Sequence, residues 1–377
     1  MFCSETPKMT IYRRLLAPAV AGLLLNGASR AQEIGFVLQG EGGLVTALVL
    51  EPSSPSILYA ATSRGIYKTS DGGKSWQPRA EGLEGRSVLS LAIDPASPST
   101  VYATTDTGGV YKSTDGGEHW AAANTGLAAR YVGAIAVDPH DPSTIYAGSE
   151  TGRLFKSTNG GATWIESTSP VASTCVTAIT LDPSAAGIIY VGTNSEGVYK
   201  TADGGATWAH LTNGLKRATV WNITVDRASP RTVYAGTHEG FYKSMNAGDL
   251  WEPSNRGLTS FNILALIVNP SAPATLYAGT AGGIFRTVDA GASWLPLYPD
   301  LYATAIAMDP SDPSTVYAAT HLGVIKSVDS GSKWAPLRMA GAPAPVEALR
   351  PLPIRGLPKA ERPASLPPLP VIQRRIG

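Results

Sequence analysis

Apolar and polar positions along this chain recur with a long period rather than a helical one. The run Val88-Leu89-Ser90-Leu91-Ala92-Ile93 is closed by Asp94-Pro95. Thr100-Val101-Tyr102-Ala103-Thr104 follows, then Gly108-Gly109, then Val110-Tyr111-Lys112-Ser113, then a Gly-rich turn before Trp120, and finally Gly126-Leu127. Short runs of β-branched and aromatic residues bounded by Gly, Pro and Asp read as strands separated by turns, so the stretch holds four short strands. Variants of it return seven times. Their shared Trp falls at Trp76, Trp120, Trp164, Trp208, Trp251, Trp294 and Trp334, spaced 44, 44, 44, 43, 43 and 40 residues apart. A fixed period of this length marks a repeat architecture, and four strands per unit is one propeller blade. The prediction is an all-β fold, a seven-bladed β-propeller of four-stranded repeats over residues 32–338.

Within each copy the residue five before the Trp is Asp or Asn, at Asp71, Asp115, Asn159, Asp203, Asn246, Asp289 and Asp329, and the residue three before it is Gly. Asp and Asn accept hydrogen bonds from backbone N–H groups a few residues on, and Gly supplies the positive φ of a tight turn. The motif is therefore a self-closed turn. Tyr59, Tyr102, Tyr146, Tyr190, Tyr234, Tyr277 and Tyr317 hold one place in the second strand, and with the seven motif Trp they read as blade-to-blade packing. This pattern resembles the Asp-box, or BNR, repeat of sialidases, sortilin-type receptors, xyloglucanases and the photosystem II stability/assembly factor family. The resemblance covers roughly residues 44–338. It implies a propeller whose Asp boxes are structural and stand away from the ligand-binding face, while leaving function open, because those families do unrelated things on one scaffold.

The chain ends read differently. Arg13-Arg14, an apolar run over residues 15–25 and Ser29-Arg30-Ala31 form the n, h and c regions of a secretory signal cleaved before Gln32. That run is too short to span a bilayer. The expectation is a secreted or periplasmic protein, not an integral membrane protein, with residues 1–31 removed. Residues 339–377 are Pro-rich, with no Trp or Tyr, and read as a disordered tail. For ring closure the stretch Ile34 to Leu44 is favoured as an outer strand lent to the last blade, since Gly43-Leu44 matches Gly82-Leu83, Gly126-Leu127, Gly214-Leu215 and Gly257-Leu258. Trp334 to Arg338 is the other candidate for that slot.

Charge changes the picture little. Lys and Arg number 30 against 29 Asp and Glu, and removal of residues 1–31 leaves 26 against 28. Such balance excludes a generic nucleic-acid or membrane-surface binder. Cys3 falls in the segment expected to be removed, leaving Cys175 as the one cysteine. Of the five His (His119, His140, His210, His238 and His321), no pair has metal-ligand spacing, so no metal and no cofactor is expected. The mature chain is read as a monomer.

In a propeller, loops alternate between two faces. The Asp-box turns share one face with the first-to-second strand connections; the other carries the second-to-third loops and the blade-to-blade links. Links supply Arg86, Arg130, Tyr131, Arg217, Trp221, Arg256, Phe261 and Tyr302, while loops supply Arg64, Asp106, Glu150, Glu196, His238, Glu239 and His321. Arg86, Arg130, Tyr131, Arg217, Trp221, His238 and His321 are the candidate ligand-binding residues, because guanidinium groups pair bidentately with carboxylate or phosphate and rings offer stacking surfaces. As an alternative, Glu150, Glu196 and Glu239 are candidate carboxylates of a glycoside hydrolase. Among the resembling families, the sialidase Arg-Ile-Pro element near the start of the fold is absent, and the xyloglucanases clasp a cleft between two propellers where this chain holds one. The assembly-factor family implies an Arg-bearing face that holds a partner protein. A binding module for a protein partner or extracellular polymer is the favoured reading.

Overall fold

The computed structural model describes residues 43–83, 85–167, 171, 174–215 and 217–337. These form seven sheets, each of four consecutive antiparallel strands. The blades span residues 45–78, 88–122, 132–166, 176–211, 220–253, 263–299 and 303–336 and are numbered 1 to 7 in that order. The first strand of each blade has six residues and packs against the first strands of its neighbours, so it is innermost. The second has five residues, all buried, in every blade. The fourth is the shortest in every blade but the sixth, down to the two residues Ala121–Ala122, whereas Leu295–Pro299 of blade 6 has five. A register shift at the start of every first strand bends it.

The hydrophobic core lies between blades rather than within them. One cluster joins Tyr59 and Ile66 of blade 1 and Leu83 of the link to Val88, Leu91, Val101, Ala103, Tyr111 and Trp120 of blade 2. The Asp boxes explain how each blade meets the next. Asp71 Oδ1 accepts from Thr69 Oγ1 (2.7 Å) and from the Ser75 amide (2.9 Å), and Oδ2 accepts from the Ser75 hydroxyl (2.6 Å). Asn159 repeats this with Oδ1 toward Ser157 and the Thr163 amide. The turn so closed presents a backbone carbonyl to the preceding blade. Gly116 O accepts from both Tyr59 OH (3.1 Å) and Lys68 Nζ (2.8 Å), and Gly160 O from Tyr102 OH (3.1 Å) and Lys112 Nζ (2.9 Å). The register pairs that Lys with that Tyr, Tyr102↔Lys112 and Tyr146↔Lys156, which sets the ammonium about 5 Å from the ring.

Several expectations need correction. The fourth strand of blade 7 is Ala335–Pro336, so the C-terminal candidate fills the slot for which the N-terminal stretch was favoured. Gly43-Leu44 does not match Gly82-Leu83 in register: Leu44 abuts Val45, the first residue of its strand, whereas Leu83 lies five positions before Val88. Blade 7 meets blade 1 through side chains, with Thr304 Oγ1 donating to Val45 O (2.9 Å) and Lys326 Nζ reaching Gly72 O (3.4 Å). Five motif Trp are buried, but Trp208 and Trp334 are only partly so. Cys175 is buried, and Cys3 lies outside the described residues. The signal segment (1–31) and the Pro-rich tail (339–377) also lie outside the described residues. Among those described, no helix is long and apolar enough to cross a membrane.

Candidate functional site

The face opposite the Asp boxes is built from a repeating pair of positions. The residue before each first strand and the residue after each second strand stand side by side, joined in six of the seven blades by a backbone bond such as Asp106 N to Ser87 O (3.1 Å), His238 N to Thr219 O (3.1 Å) or His321 N to Tyr302 O (3.0 Å). Around the ring these pairs are Leu44/Ser63, Ser87/Asp106, Tyr131/Glu150, Cys175/Asn194, Thr219/His238, Asn262/Ala281 and Tyr302/His321. Strand positions nearby keep their residue type from blade to blade while these do not. The pairs edge the mouth of the central channel, and here the repeats differ.

The structure sorts the candidates. Arg86 and Arg130 occupy the same link position in blades 2 and 3; Arg130 is exposed, and Arg86 lies over the Tyr111 ring at 5.4 Å. Arg217 sits one register earlier, exposed, on a residue with φ of 56°. The three therefore do not form one set. Tyr131 is partly buried, and burial, with the Glu150 and Asp106 carboxylates, pushes its phenol well above the usual range. Burial also raises the Glu150 carboxyl, whose Oε2 is sealed with no hydrogen-bond partner among the described residues. Trp221 is not in a link: it lies in the first strand of blade 5, 6% exposed, its indole donating to Asn262 Oδ1 (2.8 Å).

His238 and His321 are one device used twice. In each, Nδ1 accepts a backbone amide, from Thr219 (3.0 Å) and Tyr302 (3.2 Å), so the neutral ring carries its proton on Nε2. His238 Nε2 faces Glu239 at 3.3 Å. Burial holds the His321 ring below the ordinary imidazole range. The three Glu occupy different places in their loops, first for Glu150, third for Glu196 and second for Glu239. Glu196 accepts from Tyr199 OH (2.8 Å), and Tyr199 stacks on His210 at 4.1 Å while His210 Nε2 meets Glu196 O (2.6 Å). Its carboxylate thus braces its own blade. Sequence reasoning missed Asn194, Thr219 and Asn262, which link neighbouring blades at the mouth; Thr219 Oγ1 donates to Asn194 Oδ1 at 2.9 Å. Their signal was position, one residue outside a strand, rather than residue type. Among the described residues no group of three His, Cys, Asp or Glu could hold a metal.

This geometry defines an Asp-box propeller with a structural face and a variable face. Residues 108–241 match the family model described as sortilin, neurotensin receptor 3. No curated protein matches the chain. Among solved structures, the GH74 xyloglucanase from Xanthomonas campestris is similar at 21% identity and a TM-score of 0.67, over 79% of this chain and 53% of that one. YCF48 from Cyanidioschyzon merolae is similar at 16% identity and 0.59, over 77% and 96%; a YCF48 structure bound to D1 peptide gives 15% and 0.60 over 77% and 94%. The extracellular domain of a hybrid two-component system from B. thetaiotaomicron gives 14% and 0.60, over 76% and 38%. The chain spans about half the length of the GH74 enzymes it matches. At these identities the likeness is one of fold.

Proposed function

We propose that this protein is an exported binding module that engages a peptide segment of a partner protein, in complex assembly or stability, at the channel-mouth face. The observation that carries the reading is the division of labour between faces. Asp boxes, Tyr, Lys and Trp are consumed in holding blades together, whereas the mouth pairs vary from blade to blade and leave Arg130 and Phe261 exposed. Exposed Arg and an aromatic at 49% exposure offer a charged and an apolar contact on one face. The YCF48 structure bound to a peptide, which this fold matches over nearly that whole chain, supports a peptide ligand. Two of the three candidate Glu already have partners, so this set favours binding over hydrolysis.

The test uses chain beginning at Gln32 as bait in envelope extract, beside a panel of sialosides and β-glucans. A partner retained by the native chain and lost on Arg130→Glu, with an unchanged melting temperature, is the expected result. Glycan turnover abolished by Glu239→Gln or Glu150→Gln would replace the binding reading with a glycoside hydrolase. Export is proposed on the ordered n, h and c regions, and N-terminal sequencing of natively expressed protein should read Gln32 first.

A further inference from the structure

Three side chains at the channel mouth, on consecutive blades, have one polar atom consumed by the scaffold and the other turned away from it. On blade 6, the Trp221 indole donates to Asn262 Oδ1 (2.8 Å). An indole N–H only donates, so the amide oxygen of Asn262 must face it, and the NH2 group points away from the indole. On blade 7 the Tyr302 amide donates to His321 Nδ1 (3.2 Å), and on blade 5 the Thr219 amide donates to His238 Nδ1 (3.0 Å). A backbone N–H also only donates, which leaves each ring proton on Nε2. In all three the acceptor is spent inward, and what remains for a ligand is an N–H. Neither Asn262 Nδ2 nor His321 Nε2 has a hydrogen-bond partner among the described residues, and neither is sealed from solvent as Glu150 Oε2 is. His238 Nε2 faces Glu239 Oε1 at 3.3 Å. The bond to Tyr302 requires a neutral His321 ring, and the burial that holds this ring below the ordinary imidazole range acts in the same direction.

The rim is least filled between the two histidines. Of the residues that follow the second strands, Ala281 of blade 6 has the smallest side chain, and it stands between His238 and His321 in blade order. Gly282 comes next and packs on the preceding link: Ser260 Cβ lies 3.0 Å from where a Gly282 Cβ would stand. Ala281 N donates to Asn262 O (3.2 Å), so the loop and the link are closed on one another. Phe261, next to Asn262 in that link, stays exposed. Blades 2 and 3 carry the contrary chemistry, with the carboxyl groups of Asp106 and Glu150 beside Arg86 and Arg130.

We infer that the mouth of blades 5 to 7 is a subsite for the main chain of an extended peptide, in which Asn262 Nδ2 and His321 Nε2 donate to peptide carbonyl oxygens while Phe261 and the gap at Ala281 take an apolar side chain. This deepens the proposed binding role and rests on its peptide ligand. A carbonyl oxygen accepts and has no proton to place, which matches a rim of N–H groups. A sugar hydroxyl also brings a proton, and the acceptor atoms of Asn262, His238 and His321 are already spent inward; a hydroxyl left unplaced forfeits a hydrogen bond. Carbonyls on one side of an extended chain recur about every 7 Å, which suits donors presented by blades whose first strands are in contact. Because scaffold bonds hold these donors in place, little side-chain freedom is lost when a ligand arrives.

The test uses the isotope-labelled full chain and two probes, N-acetyl-leucine N-methylamide as a minimal peptide and methyl β-glucoside as a minimal sugar. In nuclear magnetic resonance titrations the peptide probe should shift the Asn262 side-chain amide and His321 ring signals saturably, and the sugar should not. Asn262→Asp keeps an oxygen for the Trp221 indole but replaces the outward NH2 with a second oxygen, so the fold should hold while affinity for the peptide probe falls at least about tenfold. Phe261→Ser, at an exposed position, should weaken the same probe without changing Tm. Equal shifts with both probes, no shift with either, or native affinity in Asn262→Asp would overturn the subsite. A partner captured from envelope extract that is lost on Arg130→Glu but bound normally by Asn262→Asp would remove this subsite and leave the assembly reading standing. Binding of the peptide probe with no captured partner would do the reverse.

Discussion

Two tryptophans at the same place in the repeat should differ in what they contribute. Trp164 is 3% exposed and donates its indole N–H across the seam to Ala123 O at 2.7 Å. Trp208 is partly exposed, and its indole N–H donates to its own turn, at Gly205 O. Truncating a buried Trp to Ala costs about 3–5 kcal/mol, and the cross-seam hydrogen bond accounts for about 1 kcal/mol of that. Trp164→Ala should fall in this range. Trp208→Ala loses less buried surface and no indole bond across the seam, so roughly half the lower bound is expected, about 1.5–2 kcal/mol. At ~2–4 °C per kcal/mol for a chain of this order of size, Trp164→Ala should lower Tm by about 10 °C and Trp208→Ala by about 5 °C. Thermal melts followed by circular dichroism, with urea titration as a second measure, provide the comparison. Trp164→Phe keeps most of the ring but strips a donor from Ala123 O, and should lie between the two. A Trp208→Ala drop equal to or larger than that of Trp164→Ala would refute the link drawn between seam bonding and stability.

Other outcomes follow from the same geometry. Gly126→Ala should destabilise strongly and yield little soluble protein, because a Cβ there would meet Trp164 O at 2.2 Å on a backbone with φ of 84°; expression and Tm report it. Lys112→Met keeps the stem but removes the ammonium that donates to Gly160 O, and should cost about 1 kcal/mol in urea unfolding. The Asp203 carboxyl is held below the ordinary carboxylate range by the Thr207 hydroxyl and amide and by Thr201. Its folded value is lower than its unfolded one, about 3.9, so its contribution is complete above that pH and is lost as pH falls further. Asp203→Asn, which keeps the Oδ1 bonds as Asn159 does, should therefore make Tm less sensitive between pH 5 and pH 2 (roughly the span below the unfolded value), and an unchanged acid slope would count against the carboxylate's role.

The blade pattern was legible because each strand type leaves a local trace: Tyr146 in the buried second strand, Asp94-Pro95 after the first, Asp115 closing the turn. Those are short-range choices, and seven copies reinforce one another. What could not be read was which repeats break their own rule. Trp208 and Trp164 share a motif, yet the Trp164 indole bonds across its seam and the Trp208 indole to its own turn, a difference that the motif residues do not carry. Trp221 looked like a link residue because it precedes the apolar run Ile223 to Val225, but the bend at the head of the first strand draws it inward. The recurring Lys68, Lys112, Lys156, Lys200, Lys243 and Lys326, eight residues before each Trp with Arg286 completing the set, went unused although their spacing was visible. At the mouth, residue type misled: Glu196 stood out as a candidate carboxylate, and only its distance to Tyr199 reveals a brace.

Because every blade consists of four consecutive strands, the junction of blade 7 with blade 1 is, among the described residues, chemically an ordinary seam without an exchanged strand. The ring has no privileged starting point. A gene rearranged to begin at any of the six links between blades, with the old ends fused by a short flexible segment, would encode the same set of contacts in a new order. Such circular permutants should fold.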